Sequence, residues 1–254
     1  MSLCALQSRL AGGDFIVTAE VTPQVATDPA DFVAKAAPLK GLATAVNVTD
    51  GAGAKAHMAT LVAAHFLQQA GVEPIMQMAC RDKNRIALES DLLGAQAIGI
   101  RNFLVLTGDD PKAGDQPDAK PVFDFNSTNL LQMAQKMRAE KKLPPGTDIK
   151  GEVGFAIGAT DVPVDPPKDW NPKSLMAKLD AGADFIQTQF CMDVGVVTRY
   201  GRRLVELGIA PKLGFLIGLC PIPSARSATW MKEKLFGTNI PDAIVQRIEK
   251  AEDQ

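Results

Sequence analysis

Residues 15–23 read FIVTAEVTP, an apolar run of strand length that ends on the carboxylate of Glu20 with no glycine cluster behind it. A first strand that opens a dinucleotide-binding sheet is followed by G-x-G-x-x-G, because those glycines let backbone amides approach a pyrophosphate. That fingerprint is absent after residue 21, which favours an α/β barrel over a doubly wound open sheet. Six further apolar runs follow at 45–49, 74–79, 102–106, 152–157, 184–188 and 213–219. Near-continuous apolar character is the mark of parallel strands covered on both faces. Segments of helical period lie between the runs. Asp28-Pro29 and Asn171-Pro172 read as helix starts, and Gly71, Gly182 and Gly208 as helix stops. The expectation is an α/β fold of the TIM-type (β/α)8 barrel class in a single domain spanning 1–254. Its C-terminal stave is incomplete or shortened, since the acidic, helix-like segment 242–254 has no apolar run after it.

Composition narrows the function. Of 254 residues 46% are hydrophobic and 22% charged, which excludes disorder as the dominant state. Lys plus Arg number 27 against 29 Asp plus Glu, a net charge of -2 with no basic run, so no nucleic-acid partner is expected. The first 13 residues lack the apolar core of a secretory signal, and the apolar stretch at 213–222 is too short to span a bilayer. A cytoplasmic protein without membrane contact is expected. Cys4, Cys80, Cys191 and Cys220 are scattered without a Cys-x-x-Cys pair, so neither a disulfide framework nor a metal site is indicated. His57 and His65, read as lying in one helical segment, give little material for a histidine triad.

In a parallel barrel the chemistry sits where strands end, and these ends are polar. They carry Glu20, Thr49-Asp50, Gln77, Thr107-Gly108-Asp109 and Thr188-Gln189. Read singly, each is an ordinary water contact or turn. Converging on one mouth, they make a shared site. Glu20 follows Phe-Ile-Val-Thr-Ala, so desolvation should raise its pKa and suit it to general-acid work. Gly108 permits close approach of a planar ligand beside Asp109, and the Gln189 amide matches a heterocycle edge bearing adjacent N–H and C=O groups. Two long loops, 110–126 and 159–171, read as ligand walls or as surface insertions.

The segments VTAEVTP (17–23), LTGDDP (106–111), DAGADFIQTQFCMD (180–193) and GLCPIPS (218–224), in this order, resemble the methylenetetrahydrofolate reductases, flavoproteins built on an α/β barrel. The resemblance implies a reductase that interconverts 5,10-methylenetetrahydrofolate and 5-methyltetrahydrofolate by hydride transfer through FAD. It implies Glu20 and Asp109 as catalytic residues, with Gln189, Glu20 and Asp109 on the folate. It places Thr49, Gln77, Thr107, Gly108, Asp109, Phe125, Asn126, Ser174 and Lys178 at FAD, with Lys178 in the first turns of the helix before the sixth strand and suited to the cofactor phosphates. Thr107 stands where many members have Arg, Gln77 and Ala159 where many have His, and Met231 where some use Phe to stack a folded nicotinamide. NADH and NADPH therefore both stay open as the electron partner. An electron-transfer partner protein, as some shorter relatives use, and a homo-oligomer are also expected. Two alternatives remain: a pterin-binding methyltransferase-type barrel, and a non-catalytic folate- or flavin-binding subunit of a larger complex.

Overall fold

The structure is a computed structural model and describes residues 4–252. Helix α1 (Ala5–Gly12) leads into alternating strands and helices. These are β1 (Thr18–Val21), α2 (Ala30–Ala36), β2 (Ala45–Val48), α3 (Thr60–Gln69), β3 (Pro74–Ala79), α4 (Arg85–Ala97), β4 (Asn102–Leu106) and α5 (Ser127–Glu140). The alternation continues through β5 (Ala156–Asp161), α6 (Lys173–Asp180), β6 (Phe185–Phe190), α7 (Val194–Glu206), β7 (Gly214–Gly218), α8 (Ala225–Lys234) and α9 (Asp242–Glu252). Strand order in the sheet follows chain order from β1 to β7. This is the TIM-type barrel pattern, with seven strands among the described residues where a full barrel has eight. The expected C-terminal helix is α9, and positions 253 and 254 lie outside the described residues.

The chain divides into two compact units, Met1–Ala159 with Ala177–Phe185, and Thr160–Met176 with Ile186–Gln254. In the first, β2 and β3 are buried along their whole length, as their unbroken apolar runs require. Parallel pairing sets Glu20 opposite Asn47, Asn47 opposite Ile75, and Gln77 opposite Leu104. Arg138 on α5 ties the starts of two strands together. Its Nη1 donates to Phe155 O at 2.7 Å and to Asp184 Oδ2 at 2.5 Å, and Asp184 Oδ2 in turn accepts Ile157 N–H at 2.8 Å. The Arg138 guanidinium also lies over the Phe155 ring, which meets Phe103 edge-on with centroids 5.3 Å apart.

At the opposite ends of the strands from their polar C-terminal residues, α1 is fastened by its own N-terminus. The first amides of a helix have no partner within it, and here the Glu73 carboxylate accepts Ala5 N–H at 2.8 Å and Leu6 N–H at 2.9 Å. Asn102 Nδ2 donates to the same carboxylate, and Leu6 is fully buried. In the second unit Tyr200 is fully buried, its hydroxyl donates to Asp161 Oδ2 at 2.5 Å, and Trp170 and Phe215 pack around its ring.

Several expected boundaries move. The fifth strand, expected at 152–157, runs over Ala156–Asp161. Gly158, one residue past the expected end, sits inside the strand, where the Phe185 ring occupies the space of its missing side chain: a Cβ there would lie 2.3 Å from Phe185 Cε2. The loop expected to start at residue 159 accordingly starts after Asp161. The first strand begins at Thr18 rather than at Phe15, which is 86% exposed. His57 lies in the loop before α3 rather than in the helix, with Nε2 3.3 Å from Ala52 O. Among the described residues no helix is long and apolar enough to cross a membrane.

Candidate active site

Side chains alternate along a strand, and residues in register on neighbouring parallel strands point to the same side. Glu20 is opposite Asn47, and Asn47 is opposite Ile75, so Gln77, two residues further on, shares the face of Glu20. The consequence is direct contact across an intervening strand: Gln77 Nε2 donates to Glu20 Oε2 at 2.9 Å. Gln77 is buried, whereas Glu20 keeps part of its surface open to water and is still partly desolvated by the protein around it. That partial desolvation raises the Glu20 pKa above the ordinary carboxylate value, and the Gln77 hydrogen bond opposes the rise without cancelling it. A carboxyl whose charged form is disfavoured in this way is suited to hold and hand over a proton.

Thr49 follows β2 two residues after Asn47 and so belongs to the same face. It is buried, and its Oγ1 has no hydrogen-bond partner, the condition a bound ligand relieves. Its neighbour Asp50 accepts Ala79 N–H at 2.9 Å and lies 3.6 Å from Lys83 Nζ. Burial raises the Asp50 pKa against the pull of Lys83.

The segment after β4 carries the next group. Thr107 is exposed, and its Oγ1 accepts Ser127 N–H, the first amide of α5, at 3.4 Å. Gly108 takes φ +93°, and Asp109 is exposed with Oδ2 accepting Gly53 N–H at 3.1 Å. The far end of the 110–126 loop is pinned by Arg85, which pairs with Asp124 at 2.6 and 2.8 Å and lies 4.9 Å from the centre of the Phe125 ring. The same guanidinium holds the Asp124 carboxyl down at about 2. Asn126 caps α5, its Oδ1 accepting Asn129 N–H at 2.9 Å. Glu20, Gln77, Thr49, Thr107, Gly108, Asp109, Phe125 and Asn126 thus belong to one unit, with Glu20 and Gln77 in contact.

Lys178 also belongs to the first unit but departs from expectation. It lies in the last turn of α6 rather than the first, and it is 9% exposed, so it is not a solvated helix charge. The second unit holds Gln189 and Ser174. Gln189 Nε2 donates to Phe236 O at 3.0 Å and Oε1 accepts Phe190 N–H at 3.0 Å, while Ser174 is an exposed residue of the first turn of α6. In the same unit Asp165 is held by both ends of the Arg199 fork, at 2.7 Å each.

One residue escaped the sequence reading. Arg81, just after β3, is 4% exposed. The signal was the charged run Arg81-Asp82-Lys83 placed directly behind the apolar stretch 74–80, where an ordinary loop needs no buried guanidinium.

An acid paired with an amide among the strand ends of a TIM-type α/β fold defines a barrel protein whose candidate chemistry sits at the C-terminal ends of the strands. The chain belongs to the methylenetetrahydrofolate reductase family, whose sequence profile matches residues 5–254. It is 27% identical over 194 residues to a probable methylenetetrahydrofolate reductase (NADPH) of Caenorhabditis elegans, covering 74% of this chain and 26% of that protein. It is 26% identical over 213 residues to methylenetetrahydrofolate reductase 1 of Schizosaccharomyces pombe, covering 82% of this chain and 32% of that one. The chain therefore spans about a quarter to a third of the length of these curated relatives. Among solved structures, an uncharacterized Clostridium thermocellum protein that binds two copies of 5-methyl-5,6,7,8-tetrahydrofolic acid shares the fold. Its TM-score is 0.63 at 9% identity, with 96% of this chain and 79% of that one covered.

Proposed function

We propose that this chain interconverts 5,10-methylenetetrahydrofolate and 5-methyltetrahydrofolate with FAD as its cofactor. The observation that carries the proposal is the Glu20–Gln77 pair, an acid with a raised pKa at a strand end, in a member of this family. FAD is compatible with the residues present. Thr49 offers a buried, unpartnered hydroxyl, and Thr107 and Gly108 lie beside the first amides of α5, where a helix N-terminus favours phosphate. Thr49, Thr107, Gly108, Phe125 and Asn126 are proposed to hold it. When bound, FAD supplies the hydride.

The protein's own part is proton supply and placement. Glu20 in its protonated form delivers a proton from its carboxyl oxygen to the folate nitrogen that leaves the methylene carbon, opening the five-membered ring to an iminium. Gln77 fixes the direction in which that proton is offered. Asp109, held by Gly53 N–H, sets a negative charge where anionic neighbours are disfavoured. Gln189, carried by its motif, is the proposed pterin-recognising amide.

The test is the visible spectrum of the purified chain, followed anaerobically as methyltetrahydrofolate is added, with NADH and NADPH then compared as reductants. Oxidised flavin bands that bleach on addition support the proposal. A chain without flavin that FAD does not reconstitute overturns it and favours a subunit that only binds folate. A second check concerns Gln77. Gln77→Leu removes the donor that lowers the Glu20 pKa, so the alkaline limb of the pH–rate profile for methylenetetrahydrofolate reduction, where the acid is lost, should move to higher pH. The loss at neutral pH should stay within about tenfold, the worth of one hydrogen bond. An unmoved limb would separate Glu20 from the measured proton.

A further inference from the structure

The geometry points to Arg81 as the residue that positions Asp109, an inference that rests on the proposed place of Asp109 in the reacting site. The Arg81 side chain runs between the segments that follow β2 and β4 and holds both. Nη1 donates to Gly51 O at 3.1 Å and reaches Asp109 O at 3.5 Å. The other edge of the guanidinium is filled by Asp82, with Nε on Oδ1 at 2.8 Å and Nη2 on Oδ2 at 2.6 Å. A fork engaged in this way is closed to a phosphate, so the group acts on the protein rather than on a ligand. Its own carbonyl accepts Val122 N–H at 2.7 Å, which adds the end of the 110–126 loop to the same clasp.

Two glycines make room for this side chain. A Cβ on Gly51 would lie 2.2 Å from Arg81 Nη2, and one on Gly108 would lie 2.9 Å from Arg81 Cβ. Both glycines also take positive φ, +57° and +93°. The segments therefore fold around the guanidinium, and Asp109 receives its place from two sides. Arg81 fixes its backbone, and Gly53 N–H, on the segment that Arg81 holds through Gly51, fixes its carboxylate. A lysine lacks the planar fork that pairs with both Asp82 oxygens along one edge while a further N–H faces Gly51 O.

The test is a double-mutant cycle in the full chain carrying its flavin. Arg81→Met is expected to lower kcat for methyltetrahydrofolate oxidation about tenfold to a hundredfold, with the flavin spectrum retained and KM little changed. In an Asp109→Ala background the same substitution should cost less than about twofold, because the group it positions is gone. Asp82→Asn, on the exposed partner, weakens the clasp without emptying a buried site and should show a smaller loss with the same non-additivity. Amide exchange at Gly53 reads the carboxylate contact without any turnover and should speed up about tenfold in Arg81→Met. Losses that add fully with Asp109→Ala, or unchanged kcat, overturn the inference. A wild-type chain with no folate turnover overturns the proposed function instead, and Gly53 exchange then decides for Arg81 alone. Faster exchange in Arg81→Met and Asp82→Asn sustains its positioning role, and unchanged exchange overturns it.

Discussion

Glu20→Gln is expected to cut folate turnover by about 10²–10⁴-fold while the flavin spectrum persists, because it removes the proton and leaves the shape. The amide still accepts Gln77 Nε2 through its carbonyl oxygen, so the contact at 2.9 Å survives. Stability should move the other way. The native pKa of Glu20 is raised by desolvation, so folding favours its protonated form. Below the ordinary glutamate pKa the group is protonated in both states and folding keeps that benefit. As pH climbs through the raised native value, the folded state must carry a charge that its surroundings disfavour, and the contribution is lost. A neutral amide escapes that loss. Thermal melts of the flavin-depleted chain should show Glu20→Gln melting no earlier than wild type at acid pH and later at alkaline pH. Unchanged turnover would remove Glu20 from the reaction.

Arg138→Met should cost about 2–3 kcal/mol of folding stability, read as a lower urea midpoint at unchanged slope. The full penalty for breaking a buried ion pair is about 3–5 kcal/mol, but the two side chains are 22% and 34% exposed and water offsets part of it. What remains is large because Arg138 does several jobs. It donates to the Phe155 carbonyl, lies over the Phe155 ring and neutralises Asp184, which itself receives Ile157 N–H. The methionine keeps the apolar stem and loses every donor. Turnover at temperatures well below the melt should be unaffected, which separates this substitution from those at Glu20 and Arg81.

The alternation of strands and helices was legible because parallel strands buried on both faces leave long apolar runs, and β3 and β4 match theirs end to end. The ends of β5 were not legible, because what packs against Gly158 is the ring of Phe185, 27 positions later in the chain and invisible to a local pattern. The same limit applies to the candidate site. Glu20 stood out as a carboxylate closing an apolar run. Its contact with Gln77 depends on the register of three strands, and the family pattern had placed Gln77 at the flavin. Arg81 looked like an ordinary charge behind a strand, and only the approach of Gly51 and Gly108 turns it into an interior group. Lys178 was misplaced within its helix because α6 begins at Lys173 and is only 8 residues long, so a residue read as lying in its first turns falls in its last turn.

The seat of α1 has a practical consequence. Leu6 and the amides held by Glu73 secure the amino-terminal helix at the ends of β3 and β4 that lie away from Glu20 and Asp109. Trimming the chain into that helix would take from Glu73 its two backbone amide partners, leaving Asn102 Nδ2, and uncover the apolar seat, so the shortened protein should be recovered in lower yield and be cut more readily by proteases. The same separation is useful in the opposite sense. Replacements that strengthen α1 offer a way to engineer heat tolerance into this chain without retuning its chemistry.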